Sequence, residues 1–148
     1  MFKGVRLEME DLNFKKNNIL AFGNNVSELN KIMESIFRNN FFDGDTVYFF
    51  DQYFDGLEYY PGSDNMGGPV RMRNNNLDGL LTILRSCLIG GRAGITLVVN
   101  FDLEVLKNGE YLELLKEFCN SNSEWNLIMG CSNCEDLSGF KFDHIVNV

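Results

Sequence analysis

Positive charge is scarce in this chain. Its 13 Lys and Arg face 21 Asp and Glu, for a formal net charge of -8. The densest basic spot is the "NFKK" of residues 13–16. A duplex-binding surface needs clustered cations to displace counterions, so nucleic acid is not expected as the main ligand. Long apolar runs are absent too: none approaches the ~20 residues of a membrane span. The N-terminal "MFKGVRLEMEDL" is charged from its third residue, unlike a secretory leader. These absences predict a cytoplasmic protein, or the cytosolic part of a membrane-bound one, with no membrane contact of its own and with thiols kept reduced.

Catalytic furniture is sparse. His144 is the only histidine, and no G-x-S-x-G elbow accompanies it, so it reads as part of a terminal strand. Of the four cysteines, Cys131 and Cys134 form one "CSNC". A zinc site needs two further ligands, and Cys87, Cys119 and His144 are scattered, so free thiols and no metal are expected.

What is present suits a packed core. The chain of 148 residues is 45% hydrophobic and carries 13 Phe. A single domain over residues 1–148 of this size buries roughly 68–70% of its unfolded surface. Apolar and polar residues alternate at Val5, Leu7 and Met9, which predicts a half-buried edge strand. "NNILAFG" is a short apolar run closed by Gly23, then the period changes. Val26, Leu29, Ile32, Met33, Ile36 and Phe37 share a helical face, with Asn24 or Asn25 as its cap. "TVYFFD" reads as a buried strand, and "VRMR" as a short one. Leu77, Leu80, Leu81, Leu84 and Leu88 form the inner face of a helix stopped at Gly90–Gly91. "ITLVVN" has the composition of a central parallel strand. The helix "GEYLELLKEFCNSNSEW", the strand "NLIMGC" and a possible last strand "FDHIVNV" follow. This alternation predicts a three-layer α/β fold with a mostly parallel sheet.

The stretch "NNILAFGNNVSELNKIMESIF" (residues 17–37) has the outline of a phosphate-binding loop. A helix N-terminus at a strand's carboxyl end offers free N–H groups to an anion. A working loop reads G-x-x-x-x-G-K-[ST]. Gly23 fits its first glycine. Glu28 then falls on the second glycine, Leu29 on the lysine and Asn30 on the hydroxyl residue. Glu28 repels phosphate, and Leu29 does not offset it. An ordinary βα turn explains Gly23 and the Asn cap equally well. In "ITLVVNFDLEVL", Asn100 stands where a magnesium-holding carboxylate is usual, followed by Asp102 and Glu104. Asn100 cannot supply negative charge, and Asp102 reads as the cap of the next turn.

In their order these pieces resemble the RecA-like P-loop ATPase domain of FtsK/SpoIIIE-type motors. The similarity is greatest to the C-terminal ATPase domain of EssC-type coupling proteins of type VII secretion. The resemblance implies a RecA-like fold with degenerate nucleotide motifs and no hydrolysis. Its role would lie in protein transport: binding exported substrates or neighbouring ATPase domains, with any oligomer formed through a parent protein. The chain departs from the family at Glu28, Leu29, Asn30 and Asn100, and the region before "ITLVVNFD" is short of the family's charged helix.

Two alternatives stay open. ATP or ADP would bind weakly through backbone N–H groups around Gly23, Asn24, Asn25 and Ser27. Or an unrelated enzyme would use Asp51, Asp102 and the "CSNC" thiols. For protein partners, the loop "DQYFDGLEYYPG" offers Tyr53, Phe54, Tyr59 and Tyr60, as interface anchors or as a cover for the sheet edge.

Overall fold

The computed structural model describes residues 18–40, 46–52, 70–74, 76–91, 94–121, 125–131 and 137–148. The expected strand at Val5–Met9, the aromatic loop of Tyr53, Phe54, Tyr59 and Tyr60, and Cys134 lie outside them.

The described elements alternate. They are β1 (Ile19–Phe22), α1 (Val26–Asn40), β2 (Thr46–Asp51), β3 (Val70–Asn74), α2 (Leu77–Leu88), β4 (Ile95–Asn100), α3 (Leu103–Leu106), α4 (Tyr111–Asn120), β5 (Trp125–Cys131) and β6 (His144–Asn147). The strands form one six-stranded sheet in the order β3-β2-β4-β5-β1-β6. Every ladder in it is parallel.

Handedness then assigns the layers. Crossovers between parallel strands are almost always right-handed, so connections running in opposite directions along the sheet lie on opposite faces. The connection from β1 through α1 to β2 runs toward the β3 edge. Those through α2 and through α3–α4 run the other way. Packing agrees. Leu29 and Met33 of α1 join Ile19, Ala21, Val47, Phe49, Val98, Ile128 and Val146 on one face. Side chains of α2, α3 and α4 join the opposite-facing residues Leu20, Phe50, Leu97, Val99, Leu127 and Met129 on the other. Helix, sheet and helix make three layers, as the alternation predicts.

The strands were readable because β1, β4 and β5 are buried almost throughout, so their sequences run apolar without a period. Differences arise at the helices. The buried face of α2 is Leu80, Ile83, Leu84 and Cys87, with Leu77, Leu81 and Leu88 only partly buried. A count of leucines alone rotates that face. The stop is as expected: Gly91 takes a φ of 69°, and its N–H returns to the Cys87 carbonyl at 3.1 Å. Val26 is exposed rather than inside, because it starts α1 ahead of the turns that rest on the sheet. Helix α4 ends at Asn120, and Trp125 instead opens β5. There it stacks on Phe118 of α4, with centroids 5.0 Å apart and planes 10° from parallel, which locks helix to strand. Among the described residues no helix is long and apolar enough to cross a membrane.

Candidate functional site

Ligands of open α/β sheets gather at the carboxyl ends of the strands. Here those ends carry Gly23 after β1, Asp51 and Gln52 at β2, Asn100 to Asp102 at β4, and Gly130 and Cys131 at β5.

The β1–α1 turn is an ordinary capped helix start. Asn25, not Asn24, is the cap. Its side-chain oxygen accepts the Glu28 N–H at 3.1 Å, and its carbonyl accepts the first helical bond from Leu29 at 2.9 Å. Asn24, Asn25, Ser27 and Glu28 are exposed. Glu28 sits in the first turn, where a negative charge complements the helix dipole. Gly23 is buried, and a Cβ on it would stand 2.7 Å from the Val148 carbonyl oxygen. The Val148 N–H in turn donates to the Phe22 carbonyl at 2.7 Å. The close passage of β6's continuation is therefore sufficient reason for a glycine at this position.

A second cluster lies beside the turn, on the α1 face. Strand alternation sends Asp51 and Asn100 to that face, with Val47 and Phe49 on β2 and Val98 on β4. The two are register partners, and they are 5% and 3% exposed. Such burial demands partners. The Asn100 side-chain nitrogen donates to the Asn30 side-chain oxygen at 2.8 Å and to Asp51 Oδ1 at 3.3 Å. Asn30 comes from α1, 70 positions away. Gly130, opposite Asn100 on β5, makes the room: a Cβ there would lie 2.8 Å from the Met33 sulfur and 2.9 Å from Asn100 Oδ1.

Asp102 does not cap α3. It stands at the cap position without a side-chain cap bond. Instead Asp102 Oδ2 accepts from the Gln52 side chain at 3.1 Å, while Gln52 Oε1 accepts the Asp102 N–H at 2.8 Å. The Gln52 N–H also donates to the Asn100 carbonyl at 3.0 Å, so β2 and β4 stay joined past their ends. Gln52 and Gly130 carry no sequence signal that would have singled them out.

Other candidates are dispersed. Cys131 is buried on the α2–α4 face, with Leu127 and Met129, across the sheet from Asp51. The arrangement of Asp51, Asp102 and the Cys131 thiol into one site is not formed, because strand alternation sends Cys131 and Asp51 to opposite faces. His144 starts the edge strand β6, as expected.

The magnesium ion of a working phosphate loop asks for several oxygen ligands. Among the described residues no group of three or more His, Cys, Asp and Glu is placed to hold a metal. At the strand ends one carboxylate and one amide oxygen converge, and both already receive an N–H from Asn100. These residues do not fit the ion.

Comparisons with protein-family models, with curated proteins and with solved structures each give no match to this chain.

Proposed function

We propose that this chain is an ATPase-like domain of FtsK/SpoIIIE type that does not hydrolyse nucleotide, and that it serves type VII secretion by binding protein partners. The observation that carries the reading is the Asn30–Asn100 hydrogen bond. Against the phosphate-loop template, Asn30 occupies the hydroxyl position and Asn100 the metal-carboxylate position. Two residues selected by that template alone meet at 2.8 Å. The sheet order supports the same reading, because a single strand, β5, separates the loop strand β1 from the acidic-end strand β4.

What is missing argues for loss of chemistry. Phosphoryl transfer rests on positioning and charge neutralisation. The loop offers exposed Glu28 where phosphate would lie, buried Leu29 in place of a lysine, and amides in place of the metal ligands. The fold then survives as a docking body, with its role in recognising an exported substrate or in regulating a neighbouring motor domain.

Calorimetry with ATP and ADP, with and without magnesium, tests this. No heat of binding at protein concentrations that detect about millimolar affinity is the expected result. Tighter binding would replace it with the weak nucleotide-binding alternative, using backbone N–H groups from Asn24 to Ser27.

A further inference from the structure

We propose that the side-chain nitrogen of Asn100 stands where a divalent cation would have to sit, between Asp51 and Asn30, so that the chain itself closes this joint and magnesium has no place in it. The inference deepens the inactive-ATPase reading, but its geometry stands on these residues alone.

The orientation of the Asn100 amide is fixed by its surroundings. Asn30 Oδ1 and Asp51 Oδ1 both stand as acceptors facing it. Turning the Asn100 oxygen inward would set it against both of those oxygens in a buried site. With the nitrogen inward, its two protons meet Asn30 Oδ1 at 2.8 Å and Asp51 Oδ1 at 3.3 Å, and the oxygen rests over Gly130. A bound cation would draw oxygens from α1, β2 and β4 to one point. The amide draws the same three elements together without charge. Replacing that nitrogen by oxygen, as in Asn100→Asp, turns the donor into an acceptor. It creates two facing carboxylates, an arrangement that repels itself and welcomes a cation.

Thermal unfolding of the wild-type chain, Asn100→Asp and Asn100→Ala, each in EDTA and in millimolar magnesium or calcium chloride, reads this out. The wild type melts at one temperature under all conditions. Asn100→Asp melts roughly 5 °C or more below it in EDTA and recovers with metal. Asn100→Ala also melts low, with no recovery. A wild-type melting point raised by magnesium, or an Asn100→Asp protein indifferent to metal, overturns the proposal. Should Asn100→Asp fail to fold, the assigned Asn100 side-chain NH₂ signals of the wild type decide. Slow exchange and no shift on adding magnesium support the joint; fast exchange or a magnesium-dependent shift sinks it. Binding of metal-free ATP with those signals undisturbed would replace the proposed function with the weak nucleotide-binding alternative and uphold the amide joint.

Discussion

At the amino end of the sheet Asn18 engages backbone; at the carboxyl end Asn100 engages side chains. The Asn18 amide donates to the Cys119 carbonyl at 2.7 Å and accepts the Leu127 N–H at 2.9 Å. Its main-chain N–H donates to Asp143 Oδ2 at 2.9 Å. Its carbonyl receives the N–H groups of Asp143 and His144 at 2.8 and 3.1 Å. One residue thus ties β1 to the end of α4, to β5 and to the start of β6, satisfying groups that the ladders leave over. Such a hub explains itself through the main chain. The Asn100 cluster does not. There Asn30, Asn100 and Asp51 meet through their side chains.

Breaking the amino-end hub should have the largest effect. Asn18→Ala leaves the Leu127 N–H and the Cys119 carbonyl without these partners and should lower unfolding free energy by about 2–3 kcal/mol, as urea denaturation would measure. Next comes alkaline pH. Burial pushes the Cys119 thiol up from 9.0 to about 11, with the Asp143 charge adding to it. Folding favours the neutral thiol, so its contribution is complete below pH 9 and fades as pH climbs through about 11. At pH 11 the loss amounts to about 2 kcal/mol. Urea midpoints at pH 8 and 11 should fall further for the wild type than for Cys119→Ala; equal slopes would refute this.

At the carboxyl end, Gly130→Ala drives a methyl toward the Met33 sulfur and Asn100 Oδ1. A loss of about 1–2 kcal/mol is expected, because the Met33 side chain yields partly, together with displaced Asn100 amide signals in the NMR spectrum. A change in stability without that displacement would mean that the joint does not depend on the space over Gly130. The smallest effect belongs to Gln52→Ala, which removes the two hydrogen bonds between Gln52 and Asp102 at a part-buried position and should cost below about 1 kcal/mol. A larger cost would make the carboxyl end as structural as the amino end.

Much of this architecture could be read from residue order, for physical reasons. β4 and β5 are buried on both faces, and burial on both faces writes an unbroken apolar run. α3 was missed because four residues are too few to show a helical period. Ile83 and Cys87 were missed because the α2 pattern was followed through its leucines. Asn30 and Asn100 were legible as departures from a template, yet nothing in the chain's order announces that they touch. Asn18 was invisible: in "KKNNIL" it reads as polar padding before a strand. Its importance comes from Cys119, Leu127 and Asp143, all about a hundred or more positions away in the chain.

The placement of β1 has a consequence for how the molecule is made. Its two ladders run to β5 and β6, the last two of the described strands in chain order. An emerging chain must therefore carry Ile19–Phe22, an apolar segment with open hydrogen-bonding edges, until residues as far on as Asn147 have been made. Pairings of such long range are slow to form. Until they pair, those open edges are where the incomplete domain is most exposed to mispairing.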